Sequence, residues 1–200
     1  MTLDRRLLAL AAASALFTAG AAVAAPAPGF TAMNADGKAV SLSSLRGKTV
    51  VLEWTNSGCP YVGKHYGSAN MQTLQKEARA QGVVWLSVIS SAPGQQGYKS
   101  GSEAKAWAKQ AGASPSDILL DPKGDLGRLY GAKTTPDMRI INARGELVYE
   151  GAIDDKPTAN AADLKTAKNF VRAALGEIKA GKAVSVKYAK PYGCSVKYAG

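Results

Sequence analysis

The apolar residues fall in short runs that alternate between two periods, with glycine, proline and small polar residues between them. Val50-Val51-Leu52-Glu53-Trp54, inside residues 48–55, is nearly continuous in apolar character and reads as a strand buried on both faces. Residues 83–89 are a second, β-branched strand, and 118–120 a short third one. Between the first two, Pro60 can open a helix that breaks near Gly67-Ser68 and resumes at Asn70, placing Met71, Leu74 and Ala78 on one face. A Gly/Ser/Gln-rich loop over 90–101 leads to a helix over 102–110 with Ser102 as its cap, and 124–130 form a helical turn. Residues 29–41 turn at Asp36-Gly37 as a hairpin, and 138–142 pair with 146–153 around Ala143-Arg144-Gly145. A last helix is expected over 161–180, where Leu164, Ala167, Phe170, Val171, Ala174, Leu175 and Ile178 recur at helical spacing.

Strand–helix–strand–helix followed by a hairpin and a helix gives an α/β fold, a central mixed sheet covered by helices on both faces. No linker divides residues 25–180, so they form one domain, with an N-terminal β-hairpin extension and a tail over 181–200. Ser185-Val-Lys-Tyr-Ala recurs as Ser195-Val-Lys-Tyr-Ala, which suggests two arms of a tail hairpin turning at Lys190-Pro191-Tyr192-Gly193. Five residues are too few for a structural repeat.

The first residues change the compartment. Arg5 and Arg6 precede an uncharged, Ala/Leu-rich run, and Ala22-Val23-Ala24 has the small-x-small form of a cleavage site. Residues 1–24 therefore read as a secretory signal peptide, and the protein as exported, most simply to a bacterial periplasm where disulfides persist. No later segment reads as a membrane span, so stable membrane insertion after cleavage is not expected. The net charge of +10 invites a nucleic-acid reading, but Lys and Arg are interleaved with acids along most of the chain. Only the tail lacks acids after Glu177. In an exported protein this basic stretch reads as a solvated face or a surface for an acidic partner, not for nucleic acid.

Chemistry concentrates on the two cysteines, Cys59 and Cys194. Strand, short polar turn, Cys59 and Pro60 in succession place a thiol at a helix N-terminus, where free backbone N–H groups favour the reactive thiolate. The fourth position, Val62, rules out Cys-x-x-Cys. Two cysteines and the single His65 make a poor metal set, and no phosphate-cradling glycine motif appears, so neither metal nor cofactor is expected. One bridge could form, closing a loop of about 135 residues for which chain entropy allows about 4–5 kcal/mol.

These residues resemble the thioredoxin-like superfamily, specifically its exported AhpC/TSA-type (peroxiredoxin-like, redoxin) members. The resemblance spans about residues 28–180. It rests on Leu42-Ser43-Ser44-Leu45-Arg46-Gly47-Lys48, Cys59-Pro60, Asp121-Pro122-Lys123-Gly124, Tyr130-Gly131 and Thr134-Thr135-Pro136. It implies a thioredoxin-like fold with Cys59 as the redox nucleophile, Pro136 as the cis-proline facing it, and Thr135 presenting backbone to an extended substrate. Glu53 matches the buried acid that relays protons during thiol exchange; a strand residue paired with a lysine is the alternative. Two departures stand out. The resolving cysteine of Cys-x-x-Cys is missing, and the Pro-x-x-x-Thr/Ser-x-x-Cys signature of peroxiredoxins is replaced by Leu52 and Asn56, whose amide could still bind the oxidant. Two-cysteine peroxiredoxins suggest Cys194 as a C-terminal resolving thiol.

The reading is thus an exported thiol oxidoreductase acting on peroxides or protein disulfides, regenerated by an external thiol electron donor. A disulfide reductase without peroxidase activity, a redox-inactive protein that holds a peptide beside Pro136, and copper delivery are the alternatives. His65 would point away from Cys59 on a regular helix, Arg139 to the opposite face from Pro136, and Asp154-Asp155 could bind a cation or simply be solvated.

Overall fold

A computed structural model describes residues 24–199. The leader expected over 1–24 therefore lies, apart from Ala24, outside the described residues. The sheet is built from β1 (Thr31–Asn34), β2 (Ala39–Ser41), β3 (Val50–Trp54), β4 (Val84–Ile89), β5 (Asp117–Leu120), β7 (Asp137–Ile141), β8 (Leu147–Gly151) and β9 (Tyr188–Ala189). Their order is β2-β1-β5-β4-β3-β7-β8-β9, while β6 (Thr134–Thr135) pairs separately with β10 (Cys194–Ser195). β3–β4, β4–β5 and β8–β9 run parallel and the other pairs antiparallel, so the sheet is mixed. The N-terminal hairpin is part of it, since Met33 and Asn34 of β1 pair with β5.

All five residues of β3 are buried, as its unbroken apolar pattern requires. Val51 packs with Met71, Leu74 and Ala78 of α2 (Asn70–Ala80) and Val171, Ala174 and Leu175 of α5 (Phe170–Lys179). Val50, Leu52 and Trp54 face the other way, onto Phe30, Tyr130 and Leu126 of α4 (Asp125–Leu129). α3 (Gly101–Gln110) packs Ala104 and Ala108 on Ile89 and Ile118. α1 (Pro60–Gly67) ends where expected: Ala69 takes a left-handed φ of 59° between it and α2.

Three boundaries differ from the sequence reading. α3 is capped by Ser100, not Ser102: its hydroxyl accepts from the Glu103 amide while the Glu103 carboxylate accepts from the Ser100 amide, a reciprocal capping box. The last helix is two pieces, a 3-10 turn over Ala161–Lys165 and then α5. Asn169 caps α5 by accepting from the Arg172 amide, and the Phe170 amide is drawn to Ile153 O at the end of the sheet. The tail is no hairpin, because its two arms pair with different strands, β9 with β8 and β10 with β6.

Asp121 shows why the Asp-Pro-Lys-Gly run matters locally. Its carboxylate accepts from the Leu126 and Gly127 amides at the start of α4 and from the Ser90 hydroxyl, which in turn accepts from Trp54 Nε1. One side chain thereby ties α4 to the C-terminal ends of β3 and β4, next to the turn that carries Cys59.

Candidate active site

Cys59 is the N-cap residue of α1, with Pro60 at the first helical position. The turn before it is fixed by Asn56. Its carbonyl accepts from the Cys59 amide and its Oδ1 from the Gly58 amide, while Nδ2 donates to Gln96 O. The Asn56 amide is therefore committed to the turn and the 90–101 loop and is not offered to a substrate, contrary to the sequence expectation. Pro60 is exposed at the helix start beside the buried cysteine.

The peptide bond between Thr135 and Pro136 is cis. The Thr135 carbonyl faces the thiol, and Cys59 Sγ donates to Thr135 O at 3.1 Å. On the other side of Thr135 lies the tail: Cys194 is its direct antiparallel partner, and Ser195 is paired with Thr134. Gly193 is required for this approach. Its φ is +134°, and a Cβ there would collide with Thr135 O. The structure thus brings together Cys59, Pro60, Thr135, Pro136 and Cys194, the last from 135 positions along the chain (194 − 59).

The two thiols are inequivalent. Cys59 is 2% exposed, Cys194 only partly buried. Burial is the largest influence on Cys59 and pushes its pKa up. The Cys194 thiol, the Val62 and Cys194 amides and the Thr135 hydroxyl, dipoles that favour a negative sulfur, together outweigh it, so the Cys59 thiol titrates below its ordinary value. The Val62 amide belongs to the first turn of α1; it makes no full cap bond to Cys59 but leans on the sulfur. The Cys194 thiol is pushed up to about 11, by burial first and then by its neighbour Cys59. Cys59 is accordingly the more acidic thiol of the pair, and Cys194 the one that holds its proton to higher pH. Removing that partner is expected to raise the pKa of Cys59. In Cys194→Ala, the pH midpoint for Cys59 alkylation by iodoacetamide should move upward; an unmoved midpoint would mean that the helix and Thr135 alone set the thiolate.

Glu53 is completely buried but does not join this group. Oε1 accepts from the Tyr66 hydroxyl, and Oε2 from Gln75 Nε2, Trp85 Nε1 and Ser87 Oγ. No lysine pairs with it, and no hydrogen bond joins it to either thiol. Burial, the dominant influence, holds its pKa above the ordinary range despite the four donors. A raised folded-state pKa means that Glu53 favours the fold when protonated. That contribution is complete below the ordinary carboxylate range and is lost as pH climbs through the raised value. Glu53→Gln stays neutral and can donate to the Tyr66 hydroxyl while its oxygen keeps the other three donors. Denaturant titrations from acid to neutral pH should show the wild type losing stability relative to the variant, by about 1.4 kcal/mol for each tenfold by which burial weakens the acid. Parallel stability curves would refute this.

Other candidates settle elsewhere. Arg139 lies over the Trp54 ring and donates to Tyr130 O and Asp137, away from the thiols. Asp154 is buried, not solvated, and sits 3.4 Å from the equally buried Lys64 ammonium. His65 faces the same carboxylate and the Tyr192 hydroxyl. The sequence reading missed this cluster because its members come from three distant segments, and only the apolar neighbours of Lys64 hinted at its burial. No group of three or more His, Cys, Asp or Glu capable of holding a metal occurs among the described residues.

Residues 23–150 match the family model described as the AhpC/TSA family. The chain belongs to the AhpC/TSA family. It is a redoxin of the thioredoxin-like superfamily, and the chemistry of that family is thiol oxidation and reduction. Among solved structures, this redoxin is similar to a hypothetical protein from Sinorhizobium meliloti 1021, with 22% identity, a TM-score of 0.73, and 90% of this chain and 96% of that one covered. It is likewise similar to an uncharacterized conserved protein from Geobacillus kaustophilus, at 26% identity and TM-score 0.72, covering 89% and 93%. A candidate thiol:disulfide interchange protein DsbE from Chlorobium tepidum matches at 26% identity and TM-score 0.52, over 64% of this chain and 84% of that one. The first likeness concerns the fold alone. Comparison with curated proteins returned no match.

Proposed function

We propose that this redoxin is an exported thiol peroxidase in which Cys59 is the nucleophile and Cys194 the resolving thiol. The observation that carries the reading is the pairing of β10 with β6, which sets Cys194 directly against Thr135, the residue whose carbonyl accepts from the Cys59 thiol. The Cys59 thiolate attacks one peroxide oxygen, the O–O bond breaks, and hydroxide departs to take up a proton. Cys59 becomes a sulfenic acid. The Cys194 sulfur then attacks the Cys59 sulfur, its proton leaves with the sulfenic oxygen as water, and a Cys59–Cys194 disulfide results. An external dithiol donor reduces this disulfide by exchange, being itself oxidised to a disulfide. Cys194 is the more exposed sulfur and Cys59 the better leaving thiolate, so donor attack on Cys194 is favoured.

Export rests on the signal-like residues 1–24, with a periplasm as the simplest destination. No helix among the described residues is long and apolar enough to cross a membrane. The peptide-binding alternative loses ground because the strand edge beside Pro136 is taken by the tail.

Stopped-flow mixing of the reduced protein with hydrogen peroxide tests the reading. Cys59 should be oxidised about 10²-fold faster than in the urea-unfolded chain, as preorganised donors around a developing charge allow. Slow oxidation together with rapid reduction of disulfide substrates would reassign the protein as a disulfide reductase.

A further inference from the structure

The tail does more than deliver a thiol. Beside a cis-proline, the free edge of a two-residue strand is where an extended substrate can add by backbone pairing. Here β10 already occupies that edge. The covering continues past it, with the Val196 amide donating to Lys133 O and the Ala92 amide to Lys197 O.

A tyrosine anchors the tail on each side of Cys194. Tyr192 lies edge-on to Tyr61, its ring 5.9 Å away, just after Cys59-Pro60 in α1. Its hydroxyl donates to Asp154 Oδ1 and lies 3.3 Å from both Lys64 Nζ and His65 Nε2. Asn70 Nδ2 lies 2.8 Å from His65 Nδ1. Burial holds the pKa of His65 down at about 4, so the ring is neutral; accepting at Nδ1, it carries its proton on Nε2 and donates to the tyrosine. The hydroxyl thus uses its one proton and both lone pairs. The Lys64 ammonium also donates to Lys156 O. Desolvating Lys64 and Asp154 costs more than apolar filler would, and what the pair supplies is a directional socket for one hydroxyl.

On the other side, the Tyr198 ring fills a slot floored by Gly124 and Gly127, where any Cβ would collide with it. The Arg128 guanidinium lies 4.8 Å from the ring centroid, and the hydroxyl donates to Ala132 O at 2.8 Å.

We propose that the C-terminal segment is a tethered strand, anchored by Tyr192 and Tyr198, that fills the substrate-strand site beside Pro136 and so reserves Cys59 for small oxidants over protein disulfides. This rests on Cys59 being the reactive nucleophile. A peroxide needs no backbone pairing, so it does not compete with the tail for that edge. An extended polypeptide needs the edge that β10 holds, so it must displace the tail first.

The test uses full-length reduced protein in a Cys194→Ala background, which leaves Cys59 as the sole thiol and keeps the β10 backbone. Labelling rates are measured with iodoacetamide and with a long polyethylene-glycol maleimide, and hydrogen exchange follows the amides of residues 192–198. Taking the ratio of the two rates removes any change in thiolate fraction. Tyr192→Phe keeps the ring and loses the socket; Tyr198→Ala vacates the glycine slot, and Tyr198→Phe refills it. The expected result is a bulky-to-small ratio raised about tenfold, equal to about 1.4 kcal/mol of lost docking, in Tyr192→Phe and Tyr198→Ala, with faster exchange in the tail and recovery in Tyr198→Phe. An unchanged ratio with a released tail would overturn the gating role. An unchanged ratio with a tail still protected would overturn the anchoring role. Failure of the underlying reading shows separately, as Cys59 sluggish toward both iodoacetamide and peroxide in every variant.

Discussion

Cys194→Ser is expected to leave the first oxidation of Cys59 by hydrogen peroxide largely intact and to cut steady-state turnover on the order of a hundredfold. The two steps draw on different groups. Oxidation needs the Cys59 thiolate, which keeps the Val62 amide and the Thr135 hydroxyl, and a serine hydroxyl can stand in as donor at position 194. Resolution needs a second sulfur, and here it is supplied within one chain by a strand paired directly to Thr135. Replacing a preorganised intramolecular partner with a thiol from solution forfeits a large effective concentration. The sulfenic acid should therefore persist long enough to be trapped by dimedone. Equal turnover in wild type and variant, at matched donor concentration, would remove Cys194 from the cycle.

Gly193→Ala should produce nearly as large a defect with both cysteines in place. At φ +134° an L-residue is strained, and the added methyl would meet the carbonyl oxygen of Thr135, the same atom that accepts from Cys59. Relief requires β10 to lift away or the carbonyl to turn, and either motion separates the sulfurs. A misplacement of about 1 Å can cost about 10²-fold in such a reaction. Disulfide formation after peroxide should slow by about that factor. The unfolding midpoint should hardly move, because β10 contributes no residue to the main sheet. A large loss of stability with normal disulfide formation would contradict the assignment.

The thioredoxin-like core was legible because its signals are local. Residues 48–55 carry a buried strand in their unbroken apolar run, Cys59-Pro60 carries a helix start, and Thr134-Thr135-Pro136 fits the strand end that faces it. What escaped the sequence depends on distant partners. Asn56 looked like a substrate ligand until Gly58 and Gln96 were seen to use its amide. Glu53 sits on the expected buried strand, yet its four donors come from α1, α2 and β4, and periodicity carries no trace of that cage. The continuous helical pattern over 161–180 hid the break at Asn169, whose side chain competes with the helix and caps it. The repeated Ser-Val-Lys-Tyr-Ala suggested self-pairing, whereas each copy finds a different strand whose edge is open.

The central claim is that Cys59 and Cys194 form one redox pair within a single chain. Its most direct test is to treat the reduced full-length protein with one equivalent of hydrogen peroxide, block free thiols, and map the peptides by mass spectrometry without reduction. The account predicts a loss of two hydrogens from the monomer and one cross-linked species joining the Cys59 and Cys194 peptides. Cys59 recovered as sulfenic or sulfinic acid with Cys194 alkylated, or a disulfide between two chains, would contradict it.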